Sequence, residues 1–166
     1  MKINDLRTFS NRILLIFGMI TTLNSCQDSK TIYEEHQSFG DAYEWTKNDK
    51  KTFVIDVKEN SHPVQMTLAL RYASGYMYEK ALLKITEIDP QGNKVSRDVD
   101  VQIRDEKGEF IGEKGYDIID LEMVLDEKKV FPVFGKYTYE IEHTMPEIDP
   151  LIFVMEIGLI LRDEKK

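Results

Sequence analysis

An alternation of apolar and polar residues from Thr52 onward constrains the fold of this chain more than any other feature of its sequence. In TFVIDVK (52–58), Phe53, Ile55 and Val57 share one parity, and the other parity is mainly polar. Because successive side chains of a strand point to opposite faces of a sheet, this segment is predicted to be a strand with one buried face. The same period recurs in QMTLALRY (65–72), KVSRDVDVQI (94–103) and KYTYEIEH (136–143).

Two segments are less clearly periodic. LIFVMEIGLIL (151–161) is apolar at nearly every position, which predicts a strand that is buried on both faces or central in its sheet, with a helix as the alternative. DIIDLEMVL (117–125) is predicted to be mostly extended, although the spacing of Ile118, Leu121 and Leu125 also fits a helical stripe.

Turn sequences separate the predicted strands. DPQGN (89–93) combines Asp, Pro and Gly as a β-turn requires, and DEKGEF (105–110), with Asp and Gly, is predicted to be another turn. About seven or eight short strands with such turns predict an all-β fold, an antiparallel β-sandwich of immunoglobulin-like or jelly-roll-like type. The residues predicted to form its core are Phe53, Leu68, Val101, Tyr139 and Ile157.

The first 25 residues are predicted to be a secretory signal peptide. The apolar run Ile13–Leu23 has eleven residues, too few for the roughly 20 that a membrane-spanning helix needs, and it follows three basic residues. A buried N-terminal helix is the alternative. LNSC (23–26) resembles the lipobox of bacterial lipoproteins, which implies that Cys26 is acylated and becomes the first residue of the mature chain. A free buried cysteine is the alternative.

The mature chain is predicted to have two parts. Residues 26–48 form a lipid-anchored tether, and residues 49–166 form the sandwich domain. The second half of the tether is expected to lie on the domain, because a plain linker would not carry five large apolar residues: Ile32, Tyr33, Phe39, Tyr43 and Trp45.

The charge balance excludes nucleic acid as a partner. Residues 1–25 contain three of the 22 basic and one of the 30 acidic residues, which leaves 19 against 29 and a net charge of −10. Such a chain repels phosphate backbones and anionic lipid headgroups. Acyl chains on Cys26 are therefore expected to provide the membrane contact.

The sequence shows no pattern typical of an enzyme, a cofactor site or a metal site. His36, His62 and His143 lack the spacing of metal ligands, and no nucleophile motif or phosphate-binding loop is present. His143 is predicted to be a core or rim histidine that is hydrogen-bonded to its neighbours, with a role as a switch as the alternative.

Aromatic residues leave glycan binding open. Tyr72, Tyr76 and Tyr78 fall on one parity, and together with Trp45 they could form a platform for a glycan or peptidoglycan. The alternative is that they are ordinary strand residues.

Several motifs in order resemble the GldH gliding-motility lipoproteins of the Bacteroidota. The main one is FPVFGKYTYEIEHTM (131–145), and the family's basic residue after it is replaced by Pro146. The other motifs are YEEHQ (33–37), DPQGN (89–93), GEFIGEKGYDI (108–118) and MEIGLIL (155–161). The resemblance implies a cell-envelope lipoprotein of the gliding machinery, associated with type IX secretion, without catalytic residues.

Partner proteins of the envelope or motility machinery are expected to bind exposed loops. The loops 108–117 and 143–150 carry large side chains that a plain turn does not need, so the candidate partner-binding residues are Phe110, Tyr116, His143 and Met145. The alternative is that these side chains close the ends of the sandwich. Gln27, rather than Asp, follows Cys26, and the tether lacks a dense acidic run, which predicts the periplasmic face of the outer membrane.

Overall fold

The computed structural model describes residues 30–58 and 62–163, and every helix or strand in this part of the chain is a β-strand. Eight strands are seven to twelve residues long, in agreement with the predicted number, and three more have two residues each. The signal peptide and Cys26 lie outside the described residues. The strands are β1 (Lys30–Ser38), β2 (Glu44–Trp45), β3 (Lys51–Val57), β4 (Val64–Ala73), β5 (Lys80–Ile88), β6 (Lys94–Gln102), β7 (Glu113–Lys114), β8 (Ile118–Lys129), β9 (Gly135–His143), β10 (Leu151–Ile152) and β11 (Val154–Asp163).

The strands form two sheets that pack face to face. One sheet has the order β1-β11-β4-β8-β7, the other has the order β3-β9-β5-β6, and β2 pairs with β10 in a small ribbon. All pairs are antiparallel. The predicted antiparallel β-sandwich is therefore confirmed, as is the extended conformation of 117–125, which lies mostly in β8.

The core consists of the inward parity of each long strand. All five residues predicted for the core are buried, which confirms the period-two assignment. β11 lies between β1 and β4 and is buried on both faces, as its apolar sequence predicts. Its Gly158 has no room for a side chain, since a Cβ there would lie 2.6 Å from the imidazole Nδ1 of His36 on β1.

Within the predicted tether, the structure describes residues 30–48. They contribute the strands β1 and β2 to the fold. β1 is an edge strand that pairs with β11 over its whole length. The Gln37 side chain reaches the other sheet and donates a 2.7 Å hydrogen bond to the Thr52 carbonyl. Trp45 is buried, stacks on Phe39 with the ring centroids 4.5 Å apart, and donates from Nε1 to the Asp49 carbonyl. Phe39 and Trp45 thus pack in the core and Tyr33 packs partly against it, as expected for this stretch. Ile32 and Tyr43 are exposed instead.

The sandwich has two ends, which matter for function. At the proximal end, defined by the start of β1 at Lys30 and the turns 89–93 and 130–134, Gly135 packs against Pro90. The distal end is defined by the connections 39–50, 74–79, 103–117 and 144–153. Strands of nine or ten residues separate the two ends by about 30 Å.

Two valines of β6 give a matched test of this packing. Val101 is 0 % exposed and Val95 is 70 % exposed, although both belong to the same parity of one strand. We expect Val101→Ala to lower the free energy of unfolding by about 2–3 kcal/mol, because it removes buried methyl groups and leaves a cavity. Val95→Ala is expected to change it by less than about 0.5 kcal/mol. Urea unfolding of both variants measures the difference, and equal losses would contradict the core assignment.

Candidate docking site at the distal end

Arg104 organises the distal loop 103–117. Its guanidinium donates to the carbonyls of Gly108 (2.9 Å) and Tyr76 (3.1 Å), and it lies 3.8 Å from the ring centroid of Phe110. The carboxylate of Asp105 accepts the backbone N–H of residues 107 and 109 at 2.9 Å each and closes the turn. Phe110 is consequently half-buried between Arg104 and the core, and it fixes the loop rather than projecting from it.

Tyr116 is presented to solvent by a tight turn between β7 and β8. Gly115 donates its N–H to the Ile118 carbonyl at 2.8 Å, and Tyr116 at the tip is 100 % exposed. The nearby Gly112 has φ +125°, and a Cβ there would lie 2.5 Å from the Asp120 carbonyl oxygen. Only glycine fits this close approach, so the spaced glycines of the loop hold its shape and expose the tyrosine.

His143 and Met145 are buried, which corrects the expectation that they form an exposed surface. Their side chains are 2 % and 7 % exposed. The reason is strand parity: the inward series of β9 ends with His143, and Met145 continues the same parity across the distal end. The Met145 sulfur lies 3.4 Å from the Leu82 backbone nitrogen, which donates to it. Met145 therefore closes the end of the sandwich, as the alternative interpretation held.

Both ring nitrogens of His143 lack a hydrogen-bond partner among residues 30–58 and 62–163. The predicted core location is confirmed, but in this part of the chain neither nitrogen makes the predicted hydrogen bond with good geometry, and the Trp45 backbone is only a weak polar neighbour. The ring meets Trp45 edge-on, with 5.5 Å between the centroids. Burial lowers the pKa of His143 and Lys47 acts in the same direction, whereas Asp149, the backbone of Trp45 and Glu142 raise it. At neutral pH the imidazole of His143 is thus uncharged in the folded protein.

The tyrosine platform proposed for a glycan is part of the core. Tyr72, Tyr76 and Trp45 are fully buried, and Tyr78 is half-buried. The Tyr72 hydroxyl donates to the Ile111 carbonyl at 2.7 Å, and burial raises the pKa of Tyr72 to about 12. The expectation of an exposed stacking surface is therefore wrong for these rings, and packing in the core explains why aromatic residues occur here.

An exposed apolar patch around Tyr116 could not be found from the sequence. Phe153 has φ +66°, and its ring covers Gly75, where a Cβ would lie 2.9 Å from the ring. Ile118 lies opposite Ala73 in the register. Tyr116, Ile118 and Phe153 are all exposed on adjoining segments of the distal end, and we call these three residues with Gly75 the distal patch. Phe153 belongs to an apolar run in which nothing distinguishes it from the buried residues.

The outer face of the five-stranded sheet carries a second candidate, an open groove of about 480 Å³. Its central Arg71 is paired with Asp120 at 2.7 Å and with Glu156 at 3.3 Å. These ion pairs satisfy its charge internally. In the described part of the chain, no group of three or more His, Cys, Asp or Glu side chains is arranged to hold a metal ion, and no helix there is long and apolar enough to cross a membrane.

The buried imidazole predicts a pH dependence of stability. Because the pKa of His143 is lower in the folded than in the unfolded protein, the unfolded state binds the proton more readily below the ordinary pKa of 6.5. Stability should be intact above pH 6.5 and fall as the pH drops towards 5. His143→Phe is expected to remove this component while the exposed His36 and His62 remain. Urea unfolding measures the free energy of unfolding of both proteins between pH 8 and 5. The same dependence on pH in both would refute the prediction.

Comparison with known proteins places this fold in a family. Solved structures give only weak likenesses: a family GH115 4-O-methyl-α-glucuronidase (TM-score 0.42, 10 % identity, 84 % of this chain and 18 % of that one) and a chain of the T13 IBDV viral particle (TM-score 0.34, 14 % identity, 84 % and 33 %). This chain spans no more than about a third of either, and these scores support no conclusion about function. No curated protein matches the chain. The sequence model of the GldH lipoprotein family matches residues 31–161, so the chain belongs to the GldH lipoprotein family.

Proposed function

We propose that this protein is a non-enzymatic interaction subunit of the cell envelope that docks on proteins of the gliding-motility machinery and, by association, of type IX secretion. The observation that carries the proposal is the distal patch, an exposed apolar surface on a rigid scaffold. Membership of a lipoprotein family supports a membrane-anchored location in the envelope. We further propose that Cys26 carries the acyl chains and that the protein lies on the periplasmic face of the outer membrane.

The distal patch has the properties of a docking surface. Tyr116 has no packing role that would explain a fully exposed aromatic side chain, and Ile118 and Phe153 extend its apolar surface. Aromatic anchors of this kind carry much of the binding energy in protein interfaces. In the distal connections, acidic residues outnumber basic ones by eleven to five. We therefore expect a partner surface with an apolar pocket and a basic rim.

The arrangement of titratable groups supports a role without catalysis. His143 is the only side chain with buried, unpartnered polar atoms among the described residues, and Trp45 and the surrounding core separate it from solvent. A substrate would not reach it in the folded protein.

Tyr116 and Met145 separate docking from packing. We expect Tyr116→Ala to leave the melting temperature unchanged within about 2 °C, because an exposed side chain contributes little to stability, and to abolish partner recovery. Met145→Ala should lower the melting temperature, because it opens a cavity at the distal end. Melting temperature and partner recovery are measured for both variants in the native lipoprotein. A separate experiment places a photocrosslinker in cells at position 116 and, as the control, at the exposed Ser96. The same adducts from both positions, or undiminished recovery with Tyr116→Ala, would contradict the assignment.

Cys26 gives a separate test of anchoring. Cys26→Ala should abolish labelling with radioactive palmitate and prevent maturation, because the sulfur is the acylated atom. The conservative Cys26→Ser variant is expected to behave in the same way, and an exposed site such as Ser96→Ala should label normally. Protease added to whole cells is expected to leave the protein intact. Equal labelling of the Cys26 variants would disprove lipidation, and digestion in intact cells would place the protein on the cell surface.

A further inference from the structure

Strand β6 is an open edge of the four-stranded sheet. Within the described residues it pairs only with β5, over its whole length and without a register shift. The Ile103 N–H donates to the Glu79 carbonyl on one side of β5, and the Thr144 N–H donates to the Leu82 carbonyl on the other side. Because backbone groups alternate along an antiparallel ladder, the even-numbered residues of β6 direct their N–H and C=O groups away from β5: Lys94, Ser96, Asp98, Asp100 and Gln102.

This edge lacks the devices that usually prevent further pairing. Sheet edges are commonly protected by proline, by a bulge or by a covering segment, and β6 has no proline, glycine or bulge. On the opposite side of the sandwich, the edges of β1 and β3 are joined by the hydrogen bond from Gln37 to the Thr52 carbonyl and by one of 3.0 Å from the Lys51 ammonium to the Ser38 carbonyl. The β6 side therefore differs from a side that the fold has closed.

A cavity of about 210 Å³ opens between β6 and β8. Its apolar lining consists of Met66, Ile85 and the Tyr139 ring from the core, with Val95, 70 % exposed, as the β6 residue. The Arg97 guanidinium crosses from β6 to β8 and donates to the Leu125 carbonyl at 3.2 Å. The four charged residues of the lining balance in sign: Glu87, Arg97, Asp126 and Lys129.

The size and lining of the cavity indicate what it can hold. Pockets for small-molecule ligands usually measure about 300–1,000 Å³, whereas an apolar cavity of about 150 Å³ is enough for benzene. The Glu87 carboxylate is already engaged by Lys129 and by the Tyr139 hydroxyl at 3.0 Å. The cavity therefore suits a single uncharged aliphatic or aromatic side chain. An extended segment paired with β6 would deliver one, since every second side chain of such a strand points between the two sheets.

Strand β6 of a second copy does not fit this edge. A symmetric antiparallel pair that uses most of the strand has its twofold axis at Arg97, Asp98 or Val99. These registers place Arg97 opposite Arg97, Asp98 opposite Asp98, and Asp98 opposite Asp100, respectively. Like charges directly opposite each other destabilise a strand pair, so the charge pattern of β6 favours a different chain.

Asp98 defines the charge of that chain. It is exposed and has no ion pair among the described residues, because Lys84 lies opposite it in the register without coming within ion-pairing distance. Asp100, in contrast, is paired with Lys80 at 3.1 Å. A basic side chain on an added strand would lie next to Asp98 and pair with it.

We propose that β6 takes up an extended segment of a different protein chain as a further strand of the four-stranded sheet. The segment places one large apolar side chain in the cavity beside Val95 and a basic side chain opposite Asp98. Main-chain hydrogen bonds supply the affinity, and these two side chains supply the specificity. The surface is separate from the distal patch, and the proposal does not rest on it.

Photocrosslinking along β6 tests the pairing. A photoreactive residue is placed at position 96, 98 or 100 of the full lipoprotein in the cells that produce it, and the crosslinked residues are identified by mass spectrometry. We expect contacts that advance by two residues in one direction along a single partner segment, because cross-strand neighbours recur every second residue. Thr52, on the covered edge of β3, is the matched control and should give no such series.

Each other outcome counts against the proposal. Crosslinks to a second copy, crosslinks scattered over a partner without the two-residue series, or no crosslinks from β6 would overturn it. The contacts from position 96 map to the extended segment, so they differ from those made at position 116 whether or not one protein supplies both.

Variants of β6 separate pairing from folding. Ser96→Pro removes an N–H that points away from β5, so the ladder with β5 should persist while the crosslinks from positions 98 and 100 fall about fivefold. Val95→Trp occupies the mouth of the cavity and should reduce the series without lowering the melting temperature. Asp98→Asn is expected to reduce it about threefold, with Asp56→Asn on β3 as the matched control.

Melting temperatures decide how these variants are interpreted. If Ser96→Pro unfolds the domain, Val95→Trp carries the test, because its side chain lies outside the backbone ladder. An undiminished series from Val95→Trp at an unchanged melting temperature would show that no partner side chain enters the cavity, and the proposal would be wrong.

Discussion

Burial of one apolar face of each sheet against the other is the interaction on which the rest of this structure depends. The inward rows of β4 and β11 on one side, and of β5 and β9 on the other, supply most of the large buried side chains. Neither sheet would be stable alone, because a half-solvated sheet must cover its apolar face. The ends of the sandwich and the open side between β6 and β8 are where this constraint relaxes, and the features with functional interest lie there.

The edge strand β1 is the first described element after Cys26, the residue proposed to carry the acyl chains. Its pairing with β11 is possible because Gly158 leaves room for the His36 ring, and the Gln37 amide joins it to the second sheet. It begins at Lys30, four positions after Cys26.

Burial decides which of the candidate residues are available to a partner. His143, Met145, Tyr72 and Tyr76 have chemistry that suits recognition, but the structure uses them to fill the core. Tyr116 is the opposite case, since its tight turn leaves it without neighbours. Phe110 lies between these extremes and stabilises the loop through Arg104. Residue type alone therefore overestimates the functional surface, because aromatic residues serve packing and binding equally well.

The sequence alone determined the strands, their inward faces and the family, because period-two alternation and ordered motifs are local properties. It also indicated an acylated Cys26, which lies outside the described residues. Only the tertiary structure decided that residues 30–38 form a sheet edge, that Met145 is a core residue, and that Phe153 meets Gly75 near Tyr116. These facts depend on which distant segments become neighbours, and that information is set by packing between sheets rather than by any local pattern.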